Sequence, residues 1–313
     1  MNMIQLTNLT KKYADKTAVN NIGFQVHPGV VTGFLGPNGA GKSTTIRMIL
    51  NLAIPTSGNV TVDGKAYAKL ENPLKKIGAM VDANAIDSRL TPKQYLRILA
   101  TACGLEKGKP EGMLSLVGLK QVENKTISQF SFGMRQRVGL AAALIGDPET
   151  IILDEPFNGL DVDGIHWLRT TLRDLAKQGK AILVSSHLLS EVQAIADRII
   201  MLAQGELIAD MSMEELMERS LSSYVQVQTD NAQKLYEILQ VEGAQVNMTI
   251  EKDLHVRKMS QKQIGDIAFA HGLRIYELTT YHPSLEQLFA EMVEGKTDYH
   301  GSNLEINKEE VAQ

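Results

Sequence analysis

Short apolar runs alternate with stretches of helical apolar spacing through about residue 218. The run Val30-Val31-Thr32-Gly33-Phe34-Leu35 is continuously apolar and stops at a glycine-rich turn, the pattern of a strand buried on both faces. Residues 4–9 and 22–26 read as short strands joined by a polar turn, and Asn59 to Val62 as another, closed by the turn dipeptide Asp63-Gly64. From Thr44 to Leu52 the apolar positions follow a helical period. Between about 90 and 146 the strand signals fade. Thr91 and Pro92 cap and open a helix there, and further helices are expected at 111–117 and 133–146. Strands return at 150–153 and 181–185 with a helix at 163–178 between them, which is the grammar of a parallel-sheet α/β core. Residues 199–202 and 207–209 form a hairpin around Gly205, and the capping box Ser212-x-x-Glu215 starts a helix that leaves this unit.

From 222 the pattern changes to strand 224–229, helix 231–240, strands 244–250 and 254–257, helix 261–271 and strand 273–278. That β-α-β-β-α-β order is the ferredoxin-like split arrangement. A last helix begins at the box Ser284-x-x-Gln287. The expected division is a larger domain over 1–218, a small α+β domain over 222–296 and a loose polar tail over 297–313.

With 313 residues, 43% of them hydrophobic, the chain can build both cores. A formal net charge of −4 speaks against general nucleic-acid binding, which needs a basic face. Cys103 is the single cysteine, so no internal disulfide forms, and it reads as a small buried side chain in a reducing compartment. No run approaches the roughly 20 apolar residues that span a bilayer, and the start of the sequence has no signal-peptide pattern. The chain is therefore expected in the cytoplasm, reaching a membrane only through a partner.

The chemistry begins after the buried strand. Gly36-Pro37-Asn38-Gly39-Ala40-Gly41-Lys42-Ser43-Thr44 fits G-x-x-x-x-G-K-[ST] between a strand and a helix. Its glycines let backbone N–H groups turn inward around a β-phosphate, and the following helix adds its positive end. Lys42 reaches the β- and γ-phosphates, and the Ser43 hydroxyl is placed for Mg2+. Thr150-Ile151-Ile152-Leu153-Asp154-Glu155 is an apolar strand ending in two carboxylates: Asp154 for the waters of the Mg2+ shell, Glu155 to orient the attacking water.

Phe130-Ser131-Phe132-Gly133-Met134-Arg135-Gln136, just upstream, resembles the L-S-G-G-Q signature of the ABC ATPase family. The resemblance covers roughly residues 4–215. It implies a P-loop NTPase core with an antiparallel β-subdomain and a helical subdomain, and it implies roles for matching residues. Ser131 and Gly133 match the positions that touch a γ-phosphate, whereas Phe132 and Met134 depart from the signature. Asp161, in Asn158-Gly159-Leu160-Asp161, matches the D-loop, His187 the switch histidine, and Tyr13 the aromatic ring set against adenine. Asp82 stands where family members commonly carry a glutamine, and as a short anion it would meet Mg2+ or its waters differently from an amide.

In this family the signature of one subunit closes over the nucleotide of another, so the resemblance implies a homodimer, or a pair of ATPase subunits, around two ATP. Opening and closing of that dimer drives a multi-span membrane permease. The Phe-Ser-x-Gly-Met-Arg-Gln segment, the acidic residue at 82 and the C-terminal extension of roughly 90 residues resemble the drug- and antibiotic-export branch, with its daunorubicin- and bacitracin-type systems. A soluble ATPase that remodels DNA or ribosomes is the competing class. DNA-repair relatives carry long coiled coils before the signature and translation-factor relatives carry two such domains, features not found here. A ligand-binding or a dimer-stabilising role for the C-terminal domain stays open.

Overall fold

The computed structural model describes residues 4–106, 108–219, 223–281 and 283–293; the tail expected over 297–313 lies outside the described residues. The chain opens with strands β1 (Ile4–Tyr13), β2 (Lys16–Ile22) and β3 (Gln25–Val26) before β4 (Val31–Leu35) enters the core. Helix α1 (Lys42–Ile49) follows, then β5 (Ser57–Val62), which pairs antiparallel with β1 beside β2 and β3. The expected strand at 4–9 is thus longer. It turns back through Ala14-Asp15 into β2, and this places Tyr13 at a strand end rather than in a loop.

After α2 (Pro73–Lys76) and β6 (Ile77–Met80) comes a helical group: α3 (Pro92–Ala102), α4 (Lys109–Leu116) and α5 (Phe132–Leu144). Thr91 starts α3 with a full capping box, its hydroxyl accepting from Gln94 N while Gln94 Oε1 accepts from Thr91 N. These helices share their own apolar cluster around Leu96, Leu114 and Val138, each fully buried. Cys103, at the C-terminal end of α3, is half-buried rather than buried, and desolvation pushes its thiol pKa up.

Strands β7 (Thr150–Asp154), β8 (Ala181–Ser185), β9 (Arg198–Ala203) and β10 (Glu206–Ser212) complete a six-stranded sheet of order β10-β9-β4-β8-β7-β6. Crossover helix α6 (Val162–Lys177) joins β7 to β8, and α7 (Leu189–Gln193) lies between β8 and β9. All ladders from β9 to β6 are parallel and only the β9–β10 hairpin is antiparallel. Helix α1 and the antiparallel sheet share one core against this sheet, and α6 buries Leu168 and Leu172 in another. The parallel strands therefore end at one edge, where the loops after β4, β6, β7 and β8 meet.

Helix α8 (Met213–Arg219), opened by the Ser212–Glu215 box, leads out. The remaining elements are β11 (Tyr224–Thr229), α9 (Ala232–Val241), β12 (Gln245–Met248), β13 (Leu254–Arg257), α10 (Gln261–Ala270), β14 (Ile275–Tyr281) and α11 (Leu285–Val293). Their sheet runs β12-β13-β11-β14 with every pairing antiparallel, covered on one face by α9 and α10.

Close contact between α5 and β6 depends on Gly78, because a Cβ there would collide with the Ala143 carbonyl. Gly78→Ala is expected to cost about 1–3 kcal/mol through forced backbone displacement, read as a lower urea midpoint by circular dichroism. Unchanged stability would show that the helical group does not rest on β6 in this way.

Candidate functional site

All five residues of β4 are buried, so the chain leaves the core abruptly at Leu35 into the glycine turn. Gly39 and Gly41 hold positive φ of +83° and +104°, and a Cβ on Gly41 would sit 2.6 Å from the Ala18 carbonyl of β2. The turn is braced from outside: Gly205 N donates to Ala40 O at 3.1 Å, and Asn20 N donates to Gly205 O at 2.8 Å. Gly41 caps α1 without any side-chain bond, and no acidic residue lies in the first turn. The leading N–H groups and the helix dipole are therefore left for an anion.

Lys42 and Ser43 are in the first turn of α1, two residues earlier than the apolar period suggested. The Lys42 side chain is buried and its Nζ donates to Gly36 O at 2.6 Å and Pro37 O at 3.3 Å. Burial lowers its pKa, while the carboxylates of Glu155 and Asp154 raise it and so oppose that loss of charge.

Those carboxylates come from the end of β7, two strands from β4 in the sheet. The Ser185 hydroxyl, at the end of the intervening β8, donates to Asp154 Oδ1 and accepts from Glu155 N, the latter at 3.0 Å. Glu155 takes a left-handed backbone, φ +52°. Its Oε2 accepts from His187 N at 3.2 Å and lies 2.8 Å from His187 Nδ1. The structure thus brings Lys42, Asp154, Glu155 and His187 together. Asp82 follows β6 at the same sheet edge, two residues past the Met80–Leu153 register pair. Its Oδ1 accepts from Asn84 N at 2.8 Å, so the carboxylate caps its own turn.

Ser131 caps α5, its hydroxyl accepting from Met134 N at 3.2 Å. That bond uses an oxygen lone pair and leaves the O–H as a donor, and it takes the amide of Met134 rather than that of Gly133. Among the described contacts none joins Ser131 or Gly133 to the glycine turn. They rest instead on the segment after β7. A Cβ on Gly133 would lie 2.5 Å from Gly159 O, and Gly159, at φ +69°, has no Cβ to collide with the Phe132 ring. Gln136, 6% exposed, donates to Glu155 O at 3.4 Å. Asp161 caps α6 through Gly164 N at 3.0 Å and meets Arg137 at 3.7 Å. Tyr13 is 49% exposed at the turn end of the β1–β2 hairpin, with Lys11 Nζ 4.8 Å from its ring centroid.

Ser185, Gln136 and the Ala40–Gly205–Asn20 brace were given no role in the motif reading. The signals were present but faint: a serine closing an apolar strand, and a glutamine on the inward face of a helix.

The chain is similar to known proteins over most of its length. A family model described as "ABC transporter" matches residues 19–158, and a domain of unknown function matches 223–286. The bacitracin transport ATP-binding protein BcrA of Bacillus licheniformis is 33% identical over 94% of this chain and 98% of its own length. The protein of the same name from Enterococcus faecalis is 36% identical over 94% and 97%. The lantibiotic transport ATP-binding protein SrtF of Streptococcus pyogenes is 34% identical over 70% of this chain and 97% of its own. Among solved structures, an ATP-binding subunit of an ABC transporter superposes with TM-score 0.64 and 27% identity, covering 69% of this chain and 92% of that one. A dimeric bacterial ABC transporter cassette gives 0.63 and 26%, covering 67% and 98%.

Replacing Lys42 with Ala removes the one cation inside the glycine turn. ATP affinity is expected to fall by at least about 100-fold, the scale of a charge-assisted contact of roughly 3 kcal/mol, in a fluorescent-nucleotide displacement assay. Affinity within threefold of the parent would rule this turn out as the phosphate site.

Proposed function

Because this chain belongs to the ATP-binding proteins of ABC transporters, and is an ATPase, we propose that two copies close around two ATP molecules to power a separate multi-span permease that exports a drug, antibiotic or peptide. The observation that carries the reading is the division of the site. Lys42, Asp154, Glu155 and His187 converge at one sheet edge, while Ser131 and Gly133 stand apart at the head of α5. A second copy supplies the missing donors to each γ-phosphate. In that arrangement the glycine turn and α1 hold the β-phosphate, Lys42 spans to the γ-phosphate, and Tyr13 lies against adenine.

Glu155 orients the attacking water and accepts its proton, and His187 holds Glu155 in place and faces the γ-phosphate oxygens. The cation fits the donor set: the Ser43 hydroxyl is exposed on the first turn of α1, and Asp154 is a hard oxygen acceptor fixed by Ser185. Ser43 and, through water, Asp154 would hold a Mg2+ ion there, which would supply positive charge to the phosphate oxygens. Asp82 would join it through its second carboxylate oxygen, since only Oδ1 is taken by the cap on Asn84. Once the γ-phosphate leaves, the charge shared between the two copies is gone and they separate.

Export of an antibiotic is supported by relatives whose names are bacitracin transport, lantibiotic transport and linearmycin resistance ATP-binding proteins. Among the described residues no helix is long and apolar enough to cross a membrane; in this reading the permease is a separate chain that holds this one at the cytoplasmic face.

Glu155→Gln keeps the shape of the side chain and removes the base. Hydrolysis is expected to drop by at least about 100-fold while ATP stays bound and light scattering reports a dimer. A monomer with ATP bound would defeat the shared-site reading. Pull-down from detergent-solubilised membranes should recover a multi-span partner; recovery of soluble chains alone would defeat the transport reading.

A further inference from the structure

The last helix does not belong to the small unit that precedes it. The core of that unit is built from β11–β14, α9 and α10, whereas Leu285 and Leu288 of α11 lie in a different apolar cluster with Leu35, Val192, Ala196, Ile199, Met201 and Leu216. Both α11 leucines are buried, at 0% and 2% exposure. The chain thus leaves the ATPase core through α8, folds the small sheet, and returns to the core with α11. The junction is specific. Leu285 N donates to Gln193 Oε1, the last residue of α7, at 3.0 Å, just after Ser284 and Gln287 close the capping box of α11.

What α11 covers is the element attached to His187. Helix α7 starts two residues after the histidine, is five residues long and has no side-chain cap. A helix that short has no stability of its own and persists only through packing. Its inner side rests on the sheet, where Gly33 leaves room for Val192 that a Cβ would occupy. Arg169 holds it laterally through Glu191 at 2.5 Å. Its remaining apolar surface is closed by α11. Only Leu188 separates α7 from His187, so the placement of the ring against Glu155 follows the placement of α7.

We propose that α11 positions the switch histidine: Leu285 and Leu288, seated on α7, hold His187 against Glu155, so that docking of this returning helix sets the rate of hydrolysis while taking no part in ATP binding. The inference rests on the reading of His187 and Glu155 given above. It also assigns the C-terminal extension a task that a minimal cassette lacks, since the lantibiotic relative is matched over 97% of its length by only 70% of this chain. Leu285 and Leu288 are positioning residues, not catalytic ones, because they touch neither nucleotide nor the reacting atoms.

The test uses the full-length protein with ATP and Mg2+ and compares Leu288→Asp, which undocks α11, with the milder Gln193→Ala and the conservative Leu288→Met. Leu288→Asp is expected to lower kcat about tenfold, as misplacement of a catalytic group does, with the Kd for ATP within twofold of the parent. Gln193→Ala should fall between, and Leu288→Met should restore kcat. In combination with His187→Ala, Leu288→Asp should add nothing to the loss from His187→Ala alone, since both act through one side chain. An unchanged kcat in Leu288→Asp, or losses that simply add, would overturn the inference, and so would a loss of ATP affinity in proportion to turnover. Full activity in His187→Ala would instead overturn the reading of the site itself.

Discussion

A buried ammonium is the constraint around which this molecule is arranged. Lys42 sits inside the glycine turn with its Nζ on two backbone carbonyls, and desolvation works against its charge. An ion taken out of water needs compensation nearby or it neutralises. The compensation is Asp154 and Glu155, and these can be close only if β7 ends level with β4, which fixes β4, β8 and β7 as parallel neighbours. The same edge then gathers one basic and two acidic groups around the place where phosphates and a divalent cation would exchange charges with them. Sheet order and site chemistry are one requirement seen at two scales.

Much of this was legible in the sequence because the signals are local and periodic. The apolar run before Gly36, the Asp-Glu at the end of the β7 strand, the Thr91-Pro92 helix start and the capping boxes at Ser212 and Ser284 each depend on residues within a few positions of one another. The β1–β2 hairpin was missed for a physical reason: its turn carries Ala14 at φ +47°, where a glycine or asparagine would have announced it. The roles of Gln136 and Ser185 were hard to read because their partners, the Glu155 backbone and the Asp154 carboxylate, are brought near only by tertiary packing. The return of α11 to α7 was likewise beyond reach, since an amphipathic helix states that it has an apolar face but not what that face meets.

The departures from the family signature are also resolved at the level of packing. Phe132 stands where the family has a small residue, and the segment it rests on answers with Gly159, whose positive φ and missing Cβ make room for the ring. The ring is accommodated without pushing α5 away from the loop after β7. With Gln136 on the Glu155 carbonyl and Arg137 near Asp161, that loop is tied to α5 at its beginning, middle and end. In the proposed dimer, a shift of α5 as its N-terminus meets a phosphate on the second copy would be delivered to Glu155 of its own site.

Asp82 poses the remaining question of reach. Its carboxylate is engaged as a cap on Asn84 N, and a capping bond of this kind is worth about 1 kcal/mol. A carboxylate contact to a divalent cation competes with that on better than equal terms, because a full double charge attracts the anion more strongly than the dipole of one N–H group does. The cap therefore fixes where Asp82 rests without committing it there. A glutamine at this position would reach farther but bring no charge. In the proposed site the shorter acid would trade length for charge, giving up the reach of an amide to bring an anion to the shell of the cation.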